Sequence, residues 1–191
     1  MSAKSEDRLG LAQRLVAYGT RKGASEIEVR IAEGTESRLS VLDQQIDQLT
    51  ESVFSDLNLR VFVDGKAASA SSSDFSAETL ERLVENAIAR ARLGGQDPFG
   101  GLPEAEPTPS GGGELGIFDP AVNEVTAEKR IAYAKAAEAV GLKDPRIKKS
   151  KGAACNTFVW STSLANSKGF SGSYHRSLLN CYAGFQSGEG S

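Results

Sequence analysis

The sequence predicts an α+β fold: an antiparallel sheet meander flanked by helices (α-β4-α), then a helix and a partial antiparallel β region. Three observations predict it. Strict apolar–polar alternation over Glu26–Ile31 and Leu57–Val63 marks half-buried strands. Apolar stripes at helical spacing flank those strands on both sides. A Pro- and Gly-rich stretch at 96–116 then separates this pattern from a second run of helix followed by strands.

Taken in order, the first helix has Ser5 as its N-cap candidate, with Glu6 and Asp7 at the positive end of the helix dipole. Leu9, Ala12, Leu15 and Val16 form its apolar stripe, and Gly23 is its stop. In the strand that follows, Ile27, Val29 and Ile31 share one face. From Thr35 to Ser55 the pattern weakens. Two strands joined near Asp43-Gln44 fit it, and so does a helix over 43–52. The strand Leu57–Val63 leads through the tight-turn pair Asp64-Gly65 to a partner strand, Lys66 to Ser73, whose small residues suit close approach by a helix. That helix has Ser76 as its cap, Leu80, Leu83, Val84, Ala87, Ile88 and Ala91 as its buried stripe, and Gly94-Gly95 as its end.

The domain expectation is therefore 1–95 as a first domain, 96–125 as a linker, and 126–191 as a second domain truncated at its C-terminal end. In the second domain a helix begins near Thr126, with Ile131, Tyr133, Ala134, Ala137 and Val140 apolar and Gly141 at its end. After Asp144-Pro145 comes a strand carrying Phe158, Trp160 and Leu164. A turn at Asn166-Ser167-Lys168-Gly169 follows, and Phe170 to Phe185 pairs back. A strand pair with an aromatic face and nothing to cover it wants more chain or a partner.

Composition narrows the function classes. With 39% apolar and 25% charged residues the chain has the make-up of a soluble globular protein. Its net charge of -3 argues against a surface that neutralises phosphates, so no nucleic-acid partner is expected. The polar N-terminus is no signal peptide, and no apolar run spans a bilayer, so a cytoplasmic protein without a membrane partner is expected. In that compartment Cys155 and Cys181 are expected to be reduced and buried, with a disulfide or ligand role as the alternative.

The chemistry is thin. A catalytic zinc takes three protein ligands, and this chain has a single histidine, His175, and no cysteine pair at metal-binding spacing. His175 is expected to be a solvated or hydrogen-bonded strand residue. Cys181 shares its strand face but lies six positions away, roughly 20 Å at ~3.3 Å per residue. Cys155 could meet His175 only through tertiary folding. No serine sits in a Gly-x-Ser-x-Gly elbow, and Gly169-Phe170-Ser171-Gly172 has the wrong spacing. Gly111-Gly112-Gly113 lacks the Lys-Ser/Thr of a phosphate loop and is expected to be a linker. Arg146, Lys148, Lys149 and Lys151 are expected to be a solvated strand edge. No catalytic, cofactor-binding or metal residue is assigned.

One resemblance stands beside this. Leu59 to Lys66, the small-residue strand after it and the helix containing Glu85–Arg92 resemble the first domain of the TldD/PmbA (modulator of DNA gyrase) family. Leu164–Phe170, leading through Tyr174 and Arg176, resembles that family's second domain, and Ser177–Cys181 is closer to the PmbA branch. The resemblance covers nearly the whole chain from about residue 8. It implies a metallopeptidase system that processes small peptides or degrades poorly folded proteins. In it a TldD-type subunit holds zinc on a His-Glu-x-x-x-His helix with a cysteine ligand, in a C-terminal domain, and pairs with a metal-free relative as a heterodimer. None of those ligand positions has a counterpart here. The function implied is an N-terminal scaffold that frames substrate, inactive alone, with self-association as the alternative to the heterodimer. The alternative function is a free-standing, non-enzymatic interaction module.

Overall fold

The computed structural model describes residues 3–104 and 116–188. The elements are α1 (Ala3–Arg21), β1 (Glu26–Leu42), β2 (Gln45–Val63), β3 (Lys66–Ser72), α2 (Ala77–Leu93), α3 (Ala127–Leu142), β4 (Ile147–Asn166) and β5 (Ser171–Ser187), with a 3-10 turn at Pro120–Glu124 before α3. The strands form one antiparallel sheet in the order β3-β2-β1-β4-β5, so the fold is α+β as the sequence predicts. The meander holds three strands instead of four. The stretches 26–31 and 35–42 are one continuous β1, and 45–63 is one continuous β2, with no helix over 43–52. Alternation in a sequence reports burial, and it lapses where a strand becomes exposed while its backbone pairing runs on.

The chain divides into two compact units. Unit 1 takes residues 3–33, 55–104 and 161–174, and unit 2 takes 34–54, 116–160 and 175–188.

Unit 1 is built on apolar burial. One face of the sheet contributes Ile27, Val29 and Ile31 from β1 and Leu57, Leu59, Val61 and Val63 from β2. Ala12, Leu15 and Val16 of α1 and Leu80, Val84, Ala87, Ile88 and Ala91 of α2 pack on it. β3 pairs with β2 from Val63↔Lys66 to Leu57↔Ser72, and its Ala68 and Ala70 are small enough for α2 to lie close. The turn between them puts Asp64 at φ 51° and Gly65 at φ 74°, the paired left-handed geometry of a two-residue hairpin. Past α2, Leu102 is buried and its N–H donates to Glu26, which also pairs with Lys168 at 3.1 Å. The start of the stretch read as linker is thus tied to β1.

Two helix starts depart from expectation. α1 begins at Ala3, so Ser5 lies inside it and is not its cap. Ser76 occupies the cap position of α2, but its hydroxyl accepts no backbone N–H. Asp74 instead organises the approach to the helix, accepting from the Ser76 N–H (2.8 Å), the Ser76 hydroxyl (3.1 Å) and the Thr79 hydroxyl (2.8 Å). A carboxylate suits the positive end of the helix dipole better than a hydroxyl.

Unit 2 has a small apolar core, Leu39, Val41, Ala134, Ala153 and Cys155, closed by α3. Thr126 caps α3 through the Lys129 N–H. The buried face of this helix is in part the one expected: Ala134 is buried and Ile131 and Ala137 pack on the core, but Tyr133 and Val140 are exposed, while Arg130 and Glu138 are buried. Nor does Gly141 stop the helix, which runs on to Leu142. A Cβ at Gly141 would run into the Phe185 ring, so glycine here permits close approach by β5. Arg146 is clamped to Asp144, and Lys148, Lys149 and Lys151 are solvated as expected. The edge reading is corrected, since β4 lies between β1 and β5.

The Asp74 carboxyl is held below its ordinary pKa by the Ser76 N–H first, then by the Thr79 and Ser76 hydroxyls. Stability from this group is therefore full above the unfolded carboxylate pKa and is lost as pH falls through the depressed folded value. Asp74→Ala should lower the thermal midpoint more than Ser76→Ala. The gap between wild type and Asp74→Asn should close on acidification, which a melting series across pH will show.

Candidate functional site

Among the described residues no three His, Cys, Asp or Glu side chains come together in a way that could hold a metal ion. With a lone histidine and the two cysteines bonded to each other, the described residues hold no donor set that fits a zinc, and no step is routed through one. No described helix is long and apolar enough to cross a membrane.

The cysteines overturn one expectation. Cys155 of β4 and Cys181 of β5 are joined as a disulfide, with Cα atoms 4.2 Å apart, the spacing of directly opposed residues in an antiparallel pair. Cys155 is fully buried and Cys181 exposed, so only the first behaves as a core residue. A 26-residue separation and exposure at one end hid this pairing from the sequence, in which the strand register is invisible. The bond also removes Cys155 as a thiol partner for His175. The His175 ring instead lies 5.6 Å from that of Phe118. Beside it, Ser177 fastens the segment before α3, with its N–H on the Ile117 carbonyl at 3.0 Å and its hydroxyl accepting from the Asp119 N–H at 2.8 Å. Gly111-Gly112-Gly113 lies outside the described residues.

Glu138 is the buried titratable group that sequence reasoning missed. Its carboxylate accepts from the Asp43 N–H (3.0 Å), the Gln44 N–H (2.8 Å), the Gln44 side-chain amide (2.9 Å) and the Ser150 hydroxyl. Asp43 and Gln44, at φ 50° and 62°, make the left-handed turn between β1 and β2 without a glycine. That conformation costs roughly 1–2 kcal/mol per residue, and the carboxylate offsets it by capturing both turn amides. Burial pushes the Glu138 carboxyl up. The Ser150, Gln44 and Asp43 hydrogen bonds outweigh burial and hold it below the usual range. With its oxygens saturated by donors, it is a structural anion and not a free general base.

The feature of unit 2 that can bind something is a sheet face. Phe158 and Trp160 of β4 point the same way by strand alternation. The Arg38 guanidinium lies 5.9 Å over the Phe158 ring and that of Arg176 lies 5.2 Å over Trp160. Leu178 and Tyr182 share the Arg176 side of β5 and are 40% and 59% exposed, so this face carries solvated apolar surface next to two cations. β5 is also a terminal strand of the sheet, and the segment before α3 takes part of its outer edge through the Ser177 N–H on the Ile117 carbonyl, so a further strand would pair beyond that point.

Known proteins resemble the chain throughout. The family description "PmbA/TldA metallopeptidase domain 1" matches residues 27–91, and "PmbA/TldA metallopeptidase central domain" matches residues 120–191. The Metalloprotease PmbA of Escherichia coli O157:H7 is 28% identical over 178 residues, covering 91% of this chain and 38% of that protein. Two solved structures share the fold. A protein described as a modulator of DNA gyrase, from Bacteroides thetaiotaomicron, superposes with a TM-score of 0.81 at 24% identity, over 95% of this chain and 41% of its own. TldE from Thermococcus kodakarensis superposes with a TM-score of 0.72 at 17% identity, over 93% and 39%. The chain thus spans about two fifths of the length of these relatives.

Two expectations follow from the geometry. Glu138→Ala, which strands the two turn amides and the Ser150 hydroxyl, should cost about 2–4 kcal/mol, read as a lower urea midpoint. In the wild type the stability from this carboxylate is complete above the unfolded pKa and drains away as pH falls through the depressed one, whereas Glu138→Gln should flatten that limb of the profile. For the cysteines, iodoacetamide should label neither in the unfolded, unreduced protein and both after dithiothreitol, with reduction lowering stability by about 2–4 kcal/mol.

Proposed function

The chain belongs to the PmbA/TldD metallopeptidase family, across its first and central domains, and we propose that it is the scaffold and substrate-framing part of a zinc peptidase subunit acting on peptides or unfolded proteins. The observation that carries this reading is the donor inventory. Two peptidase-family domains are matched, and among their described residues no three His, Cys, Asp or Glu side chains come together as a zinc site. In this reading zinc belongs to a related TldD-type catalytic subunit, with which a PmbA-like chain pairs as a heterodimer in the cytoplasm. Self-association through the terminal strand would be the other way to cover it.

Substrate framing is argued from the open face of unit 2. An unfolded polypeptide offers backbone hydrogen bonds in any sequence, and a terminal strand accepts them without regard to side chains. The rings of Phe158, Trp160 and Tyr182 then give apolar contact, while Arg38 and Arg176 favour chains with carboxylates. Such a surface holds substrate without choosing it, as suits a scaffold whose chemistry lies elsewhere.

Two measurements test the proposal. Equilibrium dialysis against zinc and a casein hydrolysis assay of the chain alone should show no stoichiometric metal and no cleavage; zinc-dependent hydrolysis would overturn the scaffold role. Fluorescent, reduced and carboxymethylated lactalbumin should bind the chain, and a Trp160→Ala, Arg176→Ala double variant should weaken that binding about tenfold. Absence of binding would remove the framing role and favour a free-standing interaction module.

A further inference from the structure

Unit 1 carries a groove that the peptidase-scaffold reading leaves unused. It lies between α1 and the start of α2 and has a volume of about 510 Å³. Leu11, Leu15 and Leu80 give it an apolar floor. Arg14 and Arg21 stand along the α1 bank seven residues apart, about 10 Å at 1.5 Å per residue, with Tyr18 between them. At one end the Arg8 guanidinium is laid 4.2 Å over the Phe75 ring and bonded to Glu33 at 3.0 Å. Glu81 is the only carboxylate on the lining. Among the described residues neither Arg14 nor Arg21 has an acidic partner.

Arg14 and Arg21 are therefore the two cations left to the groove above its leucines, since Arg8 is taken by Glu33, and the Glu85 carboxylate that accepts from the Tyr18 hydroxyl is offset by Lys22 at 2.6 Å. We propose that the groove docks an acidic amphipathic helix of a partner protein. Leu11, Arg14, Tyr18 and Arg21 fall on one line of α1 at alternating steps of three and four, the seam along which a second helix lies in register. A helix placed there repeats its own side chains every seven residues, so carboxylates two turns apart meet Arg14 and Arg21 together. The apolar residues between them fill the floor. A single phosphate or carboxylate spans far less than the 10 Å between the two arginines and meets only one of them. Charge complementarity at heptad spacing therefore selects a helix over a small anion.

The test uses the full 191-residue chain and a fluorescein-labelled synthetic peptide with leucines and glutamates at heptad positions, followed by anisotropy. Two control peptides carry lysine in place of each glutamate, or a central proline that breaks the helix. Saturable binding of the glutamate peptide alone is expected. It should weaken about tenfold or more in an Arg14→Glu, Arg21→Glu double variant, as two favourable pairs become repulsive. Both sites are exposed, but Arg21 lies in the last turn of α1, where a carboxylate opposes the helix dipole, so an Arg14→Gln, Arg21→Gln variant is measured beside it; its circular dichroism melt should stay close to wild type and its binding should also weaken. Absence of saturable binding, equal binding of either control, or unchanged affinity in the double variant would overturn the proposal. So would displacement of the peptide by inorganic phosphate at matched ionic strength, which would mark a small-anion site.

Discussion

A buried carboxylate holds unit 2 together. Glu138 ties α3 to the β1–β2 turn and to the start of β4, and it does so where the apolar core is small. Arg130, Ser150, Asn156 and Thr157 of the same unit are also buried. Arg130 reaches Glu51 at 2.8 Å and the Val125 carbonyl at 2.7 Å, and Asn156 accepts the Leu39 N–H at 3.2 Å. Polar groups in low dielectric are strongly directional and costly to leave unpaired. Such a core specifies one register more sharply than it stabilises.

Unit 1 follows the opposite plan. Its two helices bury aliphatic side chains against one face of the sheet, while the other face presents Glu28, Arg30, Arg60 and the β3 serines to water. Non-directional burial tolerates exchange among Leu, Ile and Val. The two units should therefore respond differently to substitution. A methyl group lost from unit 1 is a matter of volume, whereas an oxygen lost from unit 2 leaves donors without partners.

This contrast bears on the proposed function. A surface that is to accept unfolded polypeptide has to stay open without collapsing, and a sheet held from behind by a polar network can present the half-buried Trp160 and the exposed Tyr182 on its front. The Cys155–Cys181 bridge crosses β4 and β5 on the opposite side of that sheet, fixing the strand pair whose front carries Arg176.

Much of the fold was legible in the sequence because apolar periodicity reports directly on which side chains leave water. The strands at Ile27–Ile31 and Leu57–Val63, the Asp64-Gly65 hairpin, the stripe of α2 and the turn at Asn166–Gly169 all appear where that periodicity and turn chemistry put them. What the sequence could not determine were features set by partners far along the chain. The burial of Arg130 and Glu138 on α3 is decided by what they meet, the approach to α2 by a carboxylate two residues before Ser76, and the cysteine bridge by the register of β4 on β5. Apolar side chains gain free energy from leaving water almost wherever they land, so sequence alone places them. Charged and sulfur-bearing side chains gain it only opposite a particular atom, and only the tertiary structure decides which atom that is.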